Sequence, residues 1–271
     1  MKIKESTTEA PRTFLDPSEI ARRAAEFGKD DNRGIKINKS SVGDVHHSPG
    51  DLEKIYARRF AGAEQYRDKV WKILTSRIFA KWVSPNDTVL DLGSGYCEFV
   101  NNIPARVKYA MDLNPVTRKH ASSEVKVISQ DCSLAWTTIA PGKLDAVFTS
   151  NFFEHLPDKE ALKQTVIHAF SGLKPGGRLI ALGPNIHYLN GSYWDFYDHY
   201  VPLSHFSLIE LLENVGFSIE YARAKFLPYT MSQGHQPPLW MLKAYLGLPL
   251  AWSLFGKQFL VVARKPREPA L

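Results

Sequence analysis

Three acids and two glycines stand where short apolar runs end. VLDLGSGYC carries Asp91, Gly93 and Gly95, YAMDLNP closes on Asp112, and SQDCS carries Asp131. Glycines at a strand-to-helix turn let backbone amides approach a ligand, and the helix start that follows offers partial positive charge. A carboxylate at Asp112 can accept hydrogen bonds from ribose hydroxyls, and one at Asp131 can receive the exocyclic amine of adenine. A dinucleotide site requires Gly-x-Gly-x-x-Gly, but the last position counted from Gly93 is Glu98. Asp91, two residues before Gly93, would also repel a pyrophosphate, whereas it suits the ammonium group of an amino acid. The pattern points to an aminoacyl nucleoside rather than to NAD.

Such acids must be held by strands. Seven apolar runs follow Pro85, at 88–93, 107–113, 125–129, 144–150, 178–183, 217–223 and 257–264, with helix-compatible segments between several of them. The clearest of those segments are Asp158 to Ser171 and Ser207 to Val215. Strand–helix alternation of this kind predicts an α/β fold with a mostly parallel sheet. Upstream, Ile55, Phe60, Val70, Trp71, Leu74, Ile78, Phe79 and Trp82 recur at helical spacing, which predicts a helical cover over 51–84. Arg58, Arg59, Arg67, Lys69 and Lys72 decorate it and read as a solvated basic face. Residues 1–50 are polar and mixed in charge, a loosely held extension with a short helix around 17–27.

Composition narrows the class. With 44% hydrophobic and 23% charged residues, and 17 Gly and 17 Pro in 271 residues, the chain is neither disordered nor fibrous. Cys97 and Cys132 alone make neither a disulfide framework nor a zinc site, which points to a reducing, cytoplasmic setting. A formal charge of +6 is mild at this size and does not favour a nucleic-acid partner. The N-terminus lacks the apolar core of a secretory signal. The apolar stretch Leu239 to Phe255 contains Lys243, Gly247 and Pro249, so it is not expected to span a bilayer. Core or dimer packing, or contact with a lipid-linked substrate, remain its open readings.

From Thr88 to Arg264 the chain resembles the class I S-adenosylmethionine-dependent methyltransferases. VLDLGSGYC resembles their first motif, MDLNP the ribose motif, SQDCS the adenine-site motif, LDAVFTSNFFEHL the fourth-strand motif, and LKPGGRLI the turn and strand beyond the next helix. The resemblance implies a doubly wound, Rossmann-like sheet of seven strands with the last antiparallel, and S-adenosylmethionine as cofactor. It places Gly93, Ser94 and Gly95 around the methionine portion, with Asp91 near its ammonium. Asp112 would hold the ribose and Leu113 would lie against adenine. Asp131 would hydrogen-bond the adenine amine, with Cys132 supplying a backbone contact, while Asn151 and its neighbours would close over the sulfonium. Cys97 stands where the family usually has a third glycine, a departure expected to narrow the methionine end of the pocket. The methyltransferase domain would occupy 85–271, with acceptor-site insertions at 184–206 and 225–256.

Methyl transfer requires nucleophile, methyl and sulfur in line, and a hydroxyl nucleophile must lose a proton. Pro184 to Ser207 gathers His187, Tyr188, Tyr193, Trp194, Asp195, Tyr197, Asp198, His199, Tyr200 and His205, a composition suited to stacking on a ring and orienting its hydroxyl. His199 is the expected base, oriented by Asp198 or Asp195. The alternative is that Asp198 and His205 cap turns and the aromatics are core. His155 in FFEHL is a further candidate base that could equally serve local packing. Asp195, His199 and His205 are good ligand types, but their spacing supports no metal site and none is expected. Tyr229, His235 and Trp240 could fold over the acceptor as a lid. The expected activity is O-methylation of a small hydroxyl-bearing acceptor, such as a sugar, glycan precursor or aromatic metabolite. An RNA methyltransferase and a non-catalytic cofactor- or partner-binding protein are the rivals.

Overall fold

A computed structural model describes residues 53–54, 57–59, 62–229 and 236–267, all within the unit His46–Leu271. The N-terminal extension and the short helix expected in it, together with Ile55, Phe60 and His235, lie outside the described residues.

The strands are β1 (Thr88–Leu92), β2 (Val107–Met111), β3 (Val125–Ile128), β4 (Leu144–Ser150), β5 (Leu173–Pro184), β6 (Ser218–Arg223) and β7 (Gln258–Arg264). They form one sheet in the order β3-β2-β1-β4-β5-β7-β6. The first five pair in parallel, and β7 runs antiparallel to both β5 and β6. Strand β5 begins five residues earlier than the apolar run, because Leu173 pairs with Leu144 before a register shift. Alternation divides the core. Val89, Phe148, Ile180 and Val262 pack on one face of the sheet, and Leu90, Val147, Leu179 and Val261 on the other.

The helices in order are α1 (Glu64–Arg77), α2 (Glu98–Asn102), α3 (Val116–His120), α4 (Lys159–Gly172), α5 (Ile186–Leu189), α6 (His205–Val215), α7 (Leu239–Leu246) and α8 (Pro249–Phe255). Asp158 caps α4 by accepting from Ala161 N, Ser204 and Ser207 form a capping box on α6, and Gly216 ends α6 at φ +109°. No described helix is long and apolar enough to cross a membrane. Helices α7 and α8 nevertheless expose Trp240, Leu250, Leu254 and Phe255.

Helix α1 is clamped to the sheet by aromatic contacts. Phe148 of β4 meets Phe79 at 5.0 Å and Trp71 at 5.9 Å between ring centroids, both edge to face. Such pairs contribute about 0.5–1.5 kcal/mol each beyond area burial. They hold the cover across the carboxyl ends of β1 and β4. There the strand order reverses, the place where open α/β sheets bind ligands.

Candidate active site

The loop after β1 is shaped by positions that need unusual backbone. Gly93 has φ +65°, and a Cβ there would lie 2.2 Å from the Phe152 ring. Gly95, at φ +48°, donates its amide to Asp112 Oδ2 at 2.7 Å, and Asn114 donates to Oδ1 at 2.7 Å. Asp112 therefore ties the β1 loop to the β2 loop. Cys97 adopts φ +61°, the left-handed conformation that favours glycine. Its side chain is fully buried in the core, with Sγ 3.6 Å from the Thr117 carbonyl. Cys97 itself is not among the cleft-lining residues, although its thiol lies against Ser94, which is. The left-handed backbone directs Cβ inward.

The cleft is lined by Asp91, Gly93, Ser94, Gly95 and Asn151 at one end. Asp91 is 3% exposed, and burial, with Asp112 and Glu98 adding negative charge, holds its carboxyl well above the usual range. Arg67 Nε reaches Glu98 Oε1 at 2.5 Å. Ser94 Oγ and Asn151 Oδ1 are buried without a partner among the described residues. Asn151 also has a left-handed backbone, φ +48°, that turns it from the end of β4. Leu113 is 39% exposed beside Asp112. Asp131 accepts from Ser133 N at 2.8 Å and Ser133 Oγ at 2.7 Å, a local turn cap. The Cys132 thiol is buried at 3.4 Å from Thr165 Oγ1, and burial pushes its pKa up to about 12. Asp112, Leu113, Asp131 and Cys132 follow the adjoining strands along the same sheet edge, outside the cleft itself.

At its other end the cleft is walled by Arg59, Glu154, His155, Phe196, His199 and Tyr229. The loop carrying His199 is stitched to the turn after β4, because Tyr200 and Val201 both donate to the Glu154 carbonyl, at 2.8 and 3.1 Å. This stitch brings the His155 and His199 rings to 4.9 Å between centroids. His155 Nδ1 lies 2.8 Å from the Asp198 carbonyl and 3.2 Å from Asp198 Oδ2, while Arg59 pairs with Oδ1. Asp198 thus orients His155 rather than His199, and Asp195 is exposed. Burial raises Glu154 to about 6 against the opposing pull of His155. Burial, with His155 adding to it, lowers His199 to about 4 and leaves that imidazole neutral near pH 7. Glu154 Oε1 and His199 Nδ1 are buried with no partner among the described residues.

Residues 63–222 match the methyltransferase domain family. The chain belongs to that family. It is a class I methyltransferase, and S-adenosylmethionine is its cofactor. No curated protein matches the chain. Among solved structures it is similar to a SAM-dependent methyltransferase from Archaeoglobus fulgidus, with 21% identity over 79% of this chain and 100% of that one, TM-score 0.58. It is also similar to a Haloferax volcanii methyltransferase in complex with the Trm112 methyltransferase activator, with 16% identity over 80% and 94%, TM-score 0.53. The N-methyltransferase NodS of Bradyrhizobium japonicum, in complex with S-adenosyl-L-homocysteine, gives 12% identity over 79% and 98%, TM-score 0.52.

The residues present in the methyltransferase fit that cofactor. Asp91 is crowded by like charges that an ammonium would relieve, and Ser94 Oγ has no hydrogen-bond partner among the described residues. The acceptor end is composed differently from the sequence expectation. Arg59 and Arg67, read as part of a solvated face, turn into the cleft and pair with acids, while Lys72 pairs with Asp68 on the surface. Tyr229 lines the cleft, whereas Trp240 is 69% exposed and does not. Tyr193 is fully buried, donating to the Val201 carbonyl and accepting from Leu203 N, so it braces the loop. His205 hydrogen-bonds Asn185 away from the cleft. Glu154 was not singled out by the sequence, although it precedes His155 just beyond β4. A carboxylate in an otherwise apolar turn at the carboxyl edge was the available signal.

Proposed function

We propose that the methyltransferase O-methylates a small hydroxyl-bearing acceptor: a sugar, a glycan precursor or an aromatic metabolite. The observation that carries this reading is the convergence of Glu154, His155 and His199 on the cleft that also contains Asp91, Gly93 and Ser94. Buried hydrogen-bond acceptors without partners call for a donor, and a hydroxyl is one. Bound S-adenosylmethionine supplies a methyl group on a sulfonium, open to in-line attack. Ser94 and Asn151 then hydrogen-bond at the cofactor end, and Asp91 offers its carboxylate to the ammonium. Phe196 and Tyr229 offer apolar walls for a ring. His199 Nδ1 is assigned to take the hydroxyl's hydrogen bond and proton, with His155 beside it fixed by Asp198.

The RNA reading loses support at its own motif, since Arg59 and Arg67 are already paired with Asp198 and Glu98. Two buried free thiols suit a cytoplasmic protein. Release of S-adenosylhomocysteine should be measured against sugar nucleotides, phenols, lipid-linked glycans and RNA. Turnover with a hydroxyl compound, lost in His199→Ala while cofactor affinity is kept, supports the assignment. Turnover confined to amines or RNA overturns it.

A further inference from the structure

We propose that Glu154, His155 and His199 form a binding site for a divalent transition-metal cation of the Zn2+ or Mn2+ class. Among the described residues these three make up a group whose ligand atoms, one from each, all lie within 4.8 Å of one another. Glu154 Oε1 stands 3.9 Å from His155 Nε2. Two ligands of a tetrahedral centre with bonds near 2.1 Å sit about 3.4 Å apart, so a small side-chain rotation closes the set.

Three features separate this cluster from a chance meeting of polar groups. Glu154 and His199 are 2% and 5% exposed, and each carries a buried atom, Oε1 and Nδ1, with no partner among the described residues. His155 has its Nδ1 engaged by the Asp198 carbonyl at 2.8 Å, which fixes the tautomer and leaves the Nε2 lone pair for a ligand bond. Metal-binding imidazoles are held in this way by a carbonyl or carboxylate behind them. Arg59 in turn neutralises Asp198. The inner charge is therefore the single carboxylate of Glu154, which a dication would more than balance.

Two nitrogen donors and one oxygen donor favour Zn2+, Mn2+ or Fe2+ over Mg2+ or Ca2+, which prefer all-oxygen shells. Three protein ligands leave open positions toward the cleft, the arrangement of a catalytic rather than a structural centre. Phe196 and Tyr229 border that opening. An oxygen of the acceptor can occupy it, and a compound bearing two adjacent oxygens, such as a vicinal diol or catechol, can occupy two positions at once. With a cation bound, His199 would be a ligand rather than the base; the metal would lower the hydroxyl's pKa, and its proton would pass to water in the open cleft. This part deepens the O-methylation reading and rests on it, whereas cation binding itself does not.

The test uses the full-length chain, stripped with a chelator and titrated with Co2+ followed by visible absorption, and with Zn2+ by calorimetry, without acceptor or cofactor. The expected result is one cation per chain, bound at least about tenfold more weakly by His199→Ala and by Glu154→Gln. His187→Ala, a histidine outside the cleft, should leave the titration unchanged. Circular dichroism and S-adenosylhomocysteine binding report whether each variant is folded, so two independent ligand substitutions keep the test decisive. Failure of the wild-type chain to bind Co2+ or Zn2+, or equal affinity in the folded Glu154→Gln or His199→Ala chain, overturns the site. A failed acceptor screen with normal cation binding would instead count against O-methylation alone.

Discussion

Arg59 closes on Asp198 across 139 residues of sequence, and this pair fixes the wall of the cleft against which His155 is oriented. The Asp198 side chain is 8% exposed and that of Arg59 is 24%. Removing the guanidinium strands a nearly buried carboxylate beside an imidazole. Arg59→Met should cost about 1–3 kcal/mol in urea denaturation, below the fully buried range because Arg59 retains contact with water. Turnover should fall more than cofactor affinity does, and Arg59→Lys should recover part of it. Unchanged stability in Arg59→Met would show that the pair does not hold the wall.

How much of this was legible in sequence depends on how far apart the interacting residues lie. The strands announce themselves because each is a short apolar run, and Asp91 and Asp112 are legible because they end such runs. Asp131 was legible as a strand-end acid, but not the local turn it caps by accepting from Ser133 N and Oγ. Arg59 was not legible as a cleft residue, since helical periodicity gives a face but not an acid brought from position 198. The direction of the Cys97 side chain was likewise hidden, because it follows from a positive φ that residue type does not advertise. The Glu154–His155–His199 group depends on the stitch between the Glu154 carbonyl and the amides of Tyr200 and Val201. No spacing rule within one segment reveals a contact of that kind.

Asp112 braces Gly95 and Asn114 through their amides, and the ribose role proposed for it adds a second task. Asp112→Ala leaves both amides without their acceptor and removes the ribose partner. Affinity for S-adenosylhomocysteine should weaken by about 1–3 kcal/mol, read by calorimetry. An unchanged dissociation constant would mean that the cofactor register along the β1 and β2 ends is wrong.

Gly93 combines a left-handed backbone with a ring pressed against its α-carbon. In Gly93→Ala the added methyl meets Phe152 Cγ at 2.2 Å and Cβ at 2.7 Å, contacts that rotation of the ring alone cannot clear. The loop must shift, so melting temperature and cofactor affinity should both fall. Phe152→Ala added to Gly93→Ala removes the ring contacts but neither the 2.7 Å contact with Cβ nor the backbone strain, and should restore part of the melting temperature. No recovery in the double variant would place the cost in the backbone and the Cβ contact rather than in the ring.

Cys97 sets two preferences against each other, since its φ of +61° favours glycine while its buried sulfur fills core beside Thr117. Cys97→Ala loses the sulfur and keeps the strain, whereas Cys97→Gly loses a little more packing and releases the strain. A left-handed backbone costs an L-residue about 1–2 kcal/mol, and glycine returns part of that through its freer unfolded chain. Cys97→Gly should therefore be more stable than Cys97→Ala by about 1 kcal/mol in denaturant titrations. Both should bind S-adenosylhomocysteine as the wild type does, because the thiol points into the core rather than the cleft. Cysteine and alanine variants of equal stability would mean that the sulfur contributes nothing to packing, and an affinity change in either would place the side chain back in the pocket.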